Sequence, residues 1–163
     1  MEERKARWRK TRDEETDGYT KEQTEAWQAR LKNLEPDEPM EFEFAFALSR
    51  IDPGEEGIKL LSHHLANVRQ GAWMGVGKSR NVSLIERLYW LRKESNKPWG
   101  RHAAYRAIDH ILINIETLGG ETELNQLEVL LKELNAKEGQ NIHPGVKTRM
   151  EWTIECLRER VGE

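Results

Sequence analysis

Apolar side chains recur three or four positions apart along most of this chain, and the strict alternation typical of a β-strand is almost absent. This spacing predicts an all-α fold. From residue 40 onward, turns containing Gly, Pro and Asp divide the pattern into short amphipathic helices. We predict helices over 40–51, 54–67, 68–77, 81–95, 98–118, 122–137 and 144–161.

The N-terminal part of the chain differs from the rest in its density of charge. It runs from basic to acidic, and a modest apolar stripe at helical spacing predicts a helix over 20–35. Pro36 and Pro39 disfavour helical conformation in the residues before them, so the helix is expected to end there. We therefore predict a charged N-terminal helical segment and linker over 1–39 and a helical domain over 40–163.

Similar segments of eight residues recur in several of the predicted helices. RQGAWMGV begins at Arg69, RHAAYRAI at Arg101 and KTRMEWTI at Lys147, while EFEFAFAL from Glu41 is a weaker copy. The first two segments share a basic residue, two small residues, an aromatic residue and a β-branched residue in the same order. Small residues on one side of a helix let a neighbouring helix approach closely, so the recurrence predicts stacked helical hairpins.

These segments resemble HEAT repeats, in which a first helix reads roughly VRxxAAxAL and a second, more apolar helix follows. The resemblance is carried by Val68-Arg69-Gln70-Gly71-Ala72, by Arg101-His102-Ala103-Ala104 with Ala107-Ile108, and by Ile51-Asp52-Pro53 after Ala47-Leu48. It covers about 40–161 and implies a right-handed α-solenoid of about three HEAT-like helical hairpins, preceded by the charged N-terminal helix. It also implies a non-enzymatic protein-protein interaction or scaffold module of the kind that forms one domain of a larger assembly.

The resemblance further indicates where a partner would bind, since the second helices of HEAT hairpins line the concave surface. In the predicted helix over 81–95, Arg87 and Trp90 fall off the inward apolar stripe, and Trp and Arg are the residue types most often found as interface hot spots. A competing interpretation packs Trp90 against the next hairpin. The predicted partner-binding residues are Arg87, Trp90, Arg92, Arg101, His63 and His64.

The segment GAWMGVGKS over 71–79 ends like a phosphate-binding P-loop. A P-loop also needs a glycine five positions before its Gly-Lys-Ser and a buried strand in front, but Ala72 occupies that position and HLANVRQ precedes it. Packing accounts for the same residues, with Gly75 as a small contact position and Gly77 closing a helix in the left-handed conformation. We expect no nucleotide and no other cofactor.

Composition bears on the remaining classes of function. Cys156 is the one cysteine, and its place on an apolar face predicts a buried, inert thiol in a reducing compartment. No apolar run approaches the roughly 20 residues of a membrane span, so we expect a cytoplasmic protein without a membrane partner. His63 and His64 diverge on a helix, and His102 and His110 are too far apart to share a metal ion. With no nucleophile motif either, we expect no catalytic residue and no enzymatic activity.

The net charge of -3 hides a segregation of charge along the chain. Between Arg69 and Arg106 there are nine Lys or Arg residues and two acids, whereas 107–145 holds seven acids and two lysines. The basic stretch is interleaved with Trp73, Tyr89, Trp90, Trp99 and Tyr105. Because cations neutralise phosphates and aromatic rings stack on bases, the alternative interpretation is a nucleic-acid-binding HEAT-like module that uses 69–106. A protein partner remains the primary expectation.

Overall fold

The computed structural model describes residues 42–162, together with four positions of the preceding segment, Glu22, Glu25, Ala26 and Ala29. These four positions are helical and exposed, and they fall within the helix predicted over 20–35. The rest of that helix, and of the charged segment over 1–39, lies outside the described residues.

The described part of the chain is mostly helical and contains no strand. Its helices are α1 (Phe42–Ile51), α2 (Ile58–Leu60), α3 (Ala66–Val76), α4 (Val82–Glu94), α5 (Pro98–Leu118), α6 (Glu121–Glu138) and α7 (Pro144–Gly162). A π-helical turn, Pro53–Gly57, precedes α2, and a 3₁₀ turn, Gly139–Asn141, follows α6. The all-α prediction is confirmed for the described residues, and every helix predicted from residue 40 onward, except 54–67, agrees with an observed helix to within two residues at each end.

Side-chain caps explain where several helices begin. Asn81 Oδ1 accepts a hydrogen bond from the amide of Ser83 (3.1 Å) and caps α4. The Glu123 carboxylate accepts from the amide of Gly120 (3.0 Å) at the start of α6. The imidazole of His143 plays the same part for α7, since its Nδ1 accepts from the amide of Val146 (3.2 Å). These acceptors satisfy amides that have no partner within their own helix.

The helix predicted over 54–67 is wrong in its second half. The helical conformation stops at Leu60, and Leu65 is extended (φ -88, ψ 129) directly before α3. Two side chains stabilise this break: His63 Nδ1 accepts from the amide of Leu65 (3.1 Å), and Arg69 donates to the carbonyl oxygens of His63 (2.8 Å) and His64 (2.9 Å). The chain can leave the helix here because these side chains hydrogen-bond the amide of Leu65 and the carbonyl oxygens of His63 and His64.

The helices pack in two groups that alternate along the chain. The odd-numbered helices contact one another in order, α1 with α3, α3 with α5 and α5 with α7. Among the even-numbered helices, α4 contacts α6, and the two groups meet where α4 packs on α5 and α6 on α7. The four recurring segments of the sequence all lie in odd-numbered helices. Equivalent positions of the segments therefore belong to the series of helices that contact one another in order.

Helices α1 and α3 approach each other closely because α3 carries glycines where they touch. A Cβ atom at Gly71 would lie 2.6 Å from the carbonyl oxygen of Phe42, and one at Gly75 would lie 2.5 Å from that of Phe46. The prediction that Gly75 is a small contact position is therefore confirmed. Side chains at both positions would collide with the backbone of α1, which cannot move aside as a flexible side chain could.

Helix α5 lies at the centre of the hydrophobic core. It contacts α3, α4 and α7, and eight of its residues are buried. The largest buried side chain beside it is Tyr89 of α4, which is 0% exposed. The hydroxyl group of Tyr89 accepts a hydrogen bond from the amide of His143 (3.2 Å), so α4 is also joined to the start of α7.

Candidate interaction surfaces

Trp90, the predicted hot spot, is half-buried on α4. Its ring meets the ring of Tyr89 edge to face, with 5.2 Å between the centroids. The ammonium groups of Lys93 and Lys137 lie 5.5 and 5.9 Å from its centroid. Because Lys137 belongs to α6, Trp90 packs toward the next helix of the even-numbered group and also keeps part of its surface in solvent.

An ion pair fixes the side of α4 next to Trp90. Lys93 Nζ donates to both carboxylate oxygens of Glu138, whose side chain is 5% exposed. The hydrogen bond from Lys93 lowers the pKa of Glu138, and Tyr89 and Arg92 act in the same direction. The guanidinium carbon of Arg92 lies 5.0 Å from the Tyr89 ring centroid, so Arg92, a predicted partner-binding residue, is half-buried in this cluster.

The other predicted partner-binding residues lie elsewhere. Arg87 is exposed on α4, with a guanidinium nitrogen 3.1 Å from where a Cβ atom of Gly54 would be. His63 and His64 stack on each other in the loop before α3, with 4.6 Å between their centroids. Arg101 is exposed on α5 and donates to the carbonyl oxygen of Ser95 (2.8 Å). In the described part of the chain, no hydrogen bond or ring contact joins the histidine pair to Trp90.

The P-loop-like segment is the C-terminal end of α3. The amides of Gly77, Lys78 and Ser79 donate to the carbonyl oxygens of Trp73, Gly75 and Val76, at 2.9, 3.1 and 3.0 Å. These amides are therefore already engaged and do not form a cradle for phosphate. Gly77 is right-handed (φ -64), which corrects the predicted left-handed conformation. A glycine is needed there for another reason: a Cβ atom would collide with the side chain of His110 on α5.

An open groove of about 620 Å³ lies between α5 and the first half of α7. Its lining includes Tyr105, Arg149 and Trp152, and the remaining lining residues are Pro144, Gly145 and Thr148. The Trp152 side chain is 60% exposed, the largest fraction among the exposed large apolar residues that the structure describes. Trp, Tyr and Arg, the residue types enriched at interface hot spots, thus occur together along one groove.

Acidic residues of α5 hold the groove's arginine in place. Arg149 donates through Nε to Asp109 (3.2 Å) and through a terminal nitrogen to Glu116 (2.8 Å), although these partners are 40 and 33 positions away. Trp152 Nε1 also donates to Glu116 (3.4 Å), which orients the indole ring at the rim. Burial raises the pKa of the nearby Cys156 thiol, and Glu116 raises it further. The predicted low reactivity of Cys156 gains support, but the thiol is half-buried rather than buried.

The sequence contained a signal for Trp152 that the prediction of partner-binding residues did not use. Trp73 and Tyr105 both occupy the fifth position of their recurring segments, and both are half-buried. In KTRMEWTI the aromatic residue stands at the sixth position. One position along a helix rotates a side chain by about 100°, which moves Trp152 from the packing side to the solvent side.

Within the described part of the chain, no group of three or more His, Cys, Asp or Glu side chains is placed to hold a metal ion. No described helix has both the length and the apolar character that crossing a membrane requires.

Comparison with known proteins found no matching family model, no matching curated protein and no matching solved structure.

Proposed function

We propose that this chain is a non-enzymatic interaction module built as a HEAT-like α-solenoid, and that it binds a protein partner in the groove between α5 and α7. The sequence in which the helices contact one another supports the solenoid. Each odd-numbered helix packs on the next odd-numbered one, as in stacked hairpins. The placement of the recurring segments in that same row supports it as well. The single cysteine cannot form an intramolecular disulfide, which suits the reducing cytoplasm.

The observation that carries the binding site is the exposed indole of Trp152 beside Arg149. The exposed indole offers a large apolar surface that a partner could bury, and the ion pairs of Arg149 hold the rim of the groove in one conformation. A surface organised before binding loses less conformational entropy when the partner arrives. The surface predicted from the sequence, around Arg87 and Trp90, remains a second location for the same function.

Site-specific photocrosslinking in cells tests both locations. A benzophenone amino acid is placed in the groove at Thr148, on α4 at Arg87, and at the exposed control position Gln126 on α6. We expect one discrete adduct from position 148, its loss when Trp152→Ala is added, and no such adduct from position 126. An adduct only from position 87 would move the site to α4. Adducts of equal yield at all three positions, or none at any, would contradict a binding module of this kind.

A further inference from the structure

A second surface, between α3 and α5, has a chemistry different from that of the groove. Two cation–π pairs cross between these helices in opposite directions. Arg69 of α3 lies 5.8 Å from the ring centroid of Trp99 on α5, and Arg106 of α5 lies 5.8 Å from that of Trp73 on α3. Lys97 adds a second cation 5.8 Å from the Trp99 ring, and His102 meets Trp73 edge to face. The cationic face consists of Arg69, Trp73, Lys97, Trp99, His102 and Arg106.

Among the described residues, the positive charges of the cationic face have no acidic ion-pair partners. In the described part of the chain, no carboxylate lies within ion-pair distance of Arg69, Lys97 or Arg106. By contrast, Arg149 on the neighbouring helix α7 is paired with both Asp109 and Glu116. The two acids of the basic stretch, Glu86 and Glu94, are both on α4. Positive charge is therefore concentrated on one face of a chain whose net charge is negative.

Cations also act on two histidines beside this face, where burial is the larger cause of a lowered pKa. Burial lowers the pKa of His63, with His64 and Arg69 acting in the same direction. Burial also lowers the pKa of His110. Asp109 acts to raise this pKa, and Arg106 and Lys78 oppose the effect of Asp109. Cations that disfavour a further positive charge on a neighbouring ring will favour a negative ligand.

The aromatic residues indicate which class of polyanion fits. An acidic peptide would use the cations alone, whereas a nucleic acid also offers bases that stack on tryptophan. Trp99 is 40% exposed and therefore presents ring surface to solvent beside Arg69 and Lys97. Bases can stack on a protein ring only when they are unpaired. Lys97, directly before α5, and Arg106 within it are nine positions apart, about 13.5 Å at helical rise. These features favour a short stretch of single strand over a duplex.

We infer that the cationic face between α3 and α5 binds the backbone and bases of a single-stranded nucleic acid. Arg69, Lys97 and Arg106 contact phosphates, and Trp99 stacks on a base. This site does not depend on the proposed protein partner, because none of its residues lines the groove around Trp152.

Fluorescence anisotropy with the full chain and a labelled oligouridine of about twelve nucleotides tests the inference. We expect Arg106→Gln to weaken binding several-fold and to reduce the slope of log K against log salt by about 0.7, the value for one phosphate contact on a single strand. Lys132→Gln removes the same charge from an exposed position on α6 and should leave both quantities unchanged. Trp99→Leu should weaken binding without changing the salt slope.

Arg106→Gln leaves the hydrogen bonds of the fold intact, because Arg106 makes only the cation–π contact in the described part of the chain. Circular dichroism of each variant confirms that the helices remain. The inference is overturned if oligouridine does not bind, or if Lys132→Gln weakens binding as much as Arg106→Gln. It is equally overturned if a duplex of the same length, or a polyglutamate peptide of the same charge, competes as well as the single strand.

Discussion

Lys93 Nζ lies 2.8 and 2.6 Å from the two carboxylate oxygens of Glu138, so one ammonium group joins the last turn of α4 to the last turn of α6. Replacing the carboxylate by an amide in Glu138→Gln leaves Lys93 and the neighbouring Arg92 without their counter-ion. We expect a lower thermal midpoint than in the wild type. The exposed pair between Lys137 and Glu86 (3.5 Å) provides the control, since Glu86→Gln should have a smaller effect.

The same ion pair predicts a dependence on pH. The pKa of Glu138 is lowered in the folded chain, so the unfolded chain binds more protons as the solution is acidified. The stabilising contribution is present above the ordinary glutamate pKa and is lost as the pH falls through the folded value. The difference in thermal midpoint between wild type and Glu138→Gln should therefore shrink in acid. A difference that stays constant over this range would show that the carboxylate charge is not its source.

Gly75→Ala should destabilise the chain although alanine is the better helix former. The new Cβ atom would lie 2.5 Å from the carbonyl oxygen of Phe46 and 2.8 Å from the Cβ atom of Ser49, which forces α1 and α3 apart. We expect a loss of about 1–3 kcal/mol in the free energy of unfolding, measured with urea. Gly162→Ala, whose Cβ atom meets nothing within 4 Å, should be neutral or slightly stabilising. Similar effects from the two substitutions would rule out the close approach of α1 and α3.

His143 should make the stability of α7 sensitive to pH. Its Nδ1 caps the helix only while the ring is neutral, and burial, together with Arg92, lowers its pKa below 6.5. The unfolded chain therefore binds the proton first, and stability falls as the pH drops through about 6.5 until the folded value is passed. Asparagine accepts the same hydrogen bond without titrating, so His143→Asn should flatten the curve while changing stability near neutral pH by less than about 1 kcal/mol.

Urea unfolding between about pH 7.5 and 5.5 measures this effect. His102→Asn is the control, because the His102 ring is exposed and accepts no backbone hydrogen bond in the described part of the chain. It should leave the slope of stability against pH close to that of the wild type. If His143→Asn kept the full wild-type slope, the cap would not be the titrating contact.

Alanine substitutions at Trp90 and Trp152 should distinguish a tryptophan that stabilises the fold from one whose surface is available to a partner. Trp90→Ala removes a half-buried ring that contacts α6, and we expect a loss of about 2 kcal/mol, less than the roughly 3–5 kcal/mol for a fully buried tryptophan. Trp152→Ala removes a ring that is 60% exposed and should cost less than about 1 kcal/mol. The reverse order in urea unfolding would mean that Trp152, and not Trp90, supports the fold.

Local signals in the sequence predicted the helices well because their ends are set by nearby residues. Pro98 and Pro144 begin helices in the structure as in the prediction, and Asn81 caps α4 by accepting from an amide only two positions away. The break after Leu60 was missed because it depends on His63 and Arg69 bonding across the loop, contacts that no periodicity encodes.

The candidate groove could be predicted only in part. Its aromatic residues lie in recurring segments that the sequence displays, but the ion pairs of Arg149 connect residues more than 30 positions apart. Such contacts depend on how α5 and α7 align, which is decided by packing across the whole interface. The partial burial of Arg92 and of Trp90 likewise follows from α6 and the start of α7, not from the helix that carries them.

The central place of α5 also determines the order in which the molecule opens. The helices that contact α5 are near it in the sequence, so each of these contacts closes only a short loop when it forms. We expect local unfolding of the native state to begin at α1 or α7. It reaches α5 only after the helices on either side have separated from α5. We therefore expect the amides around Ile111 to exchange deuterium most slowly of those in the described helices.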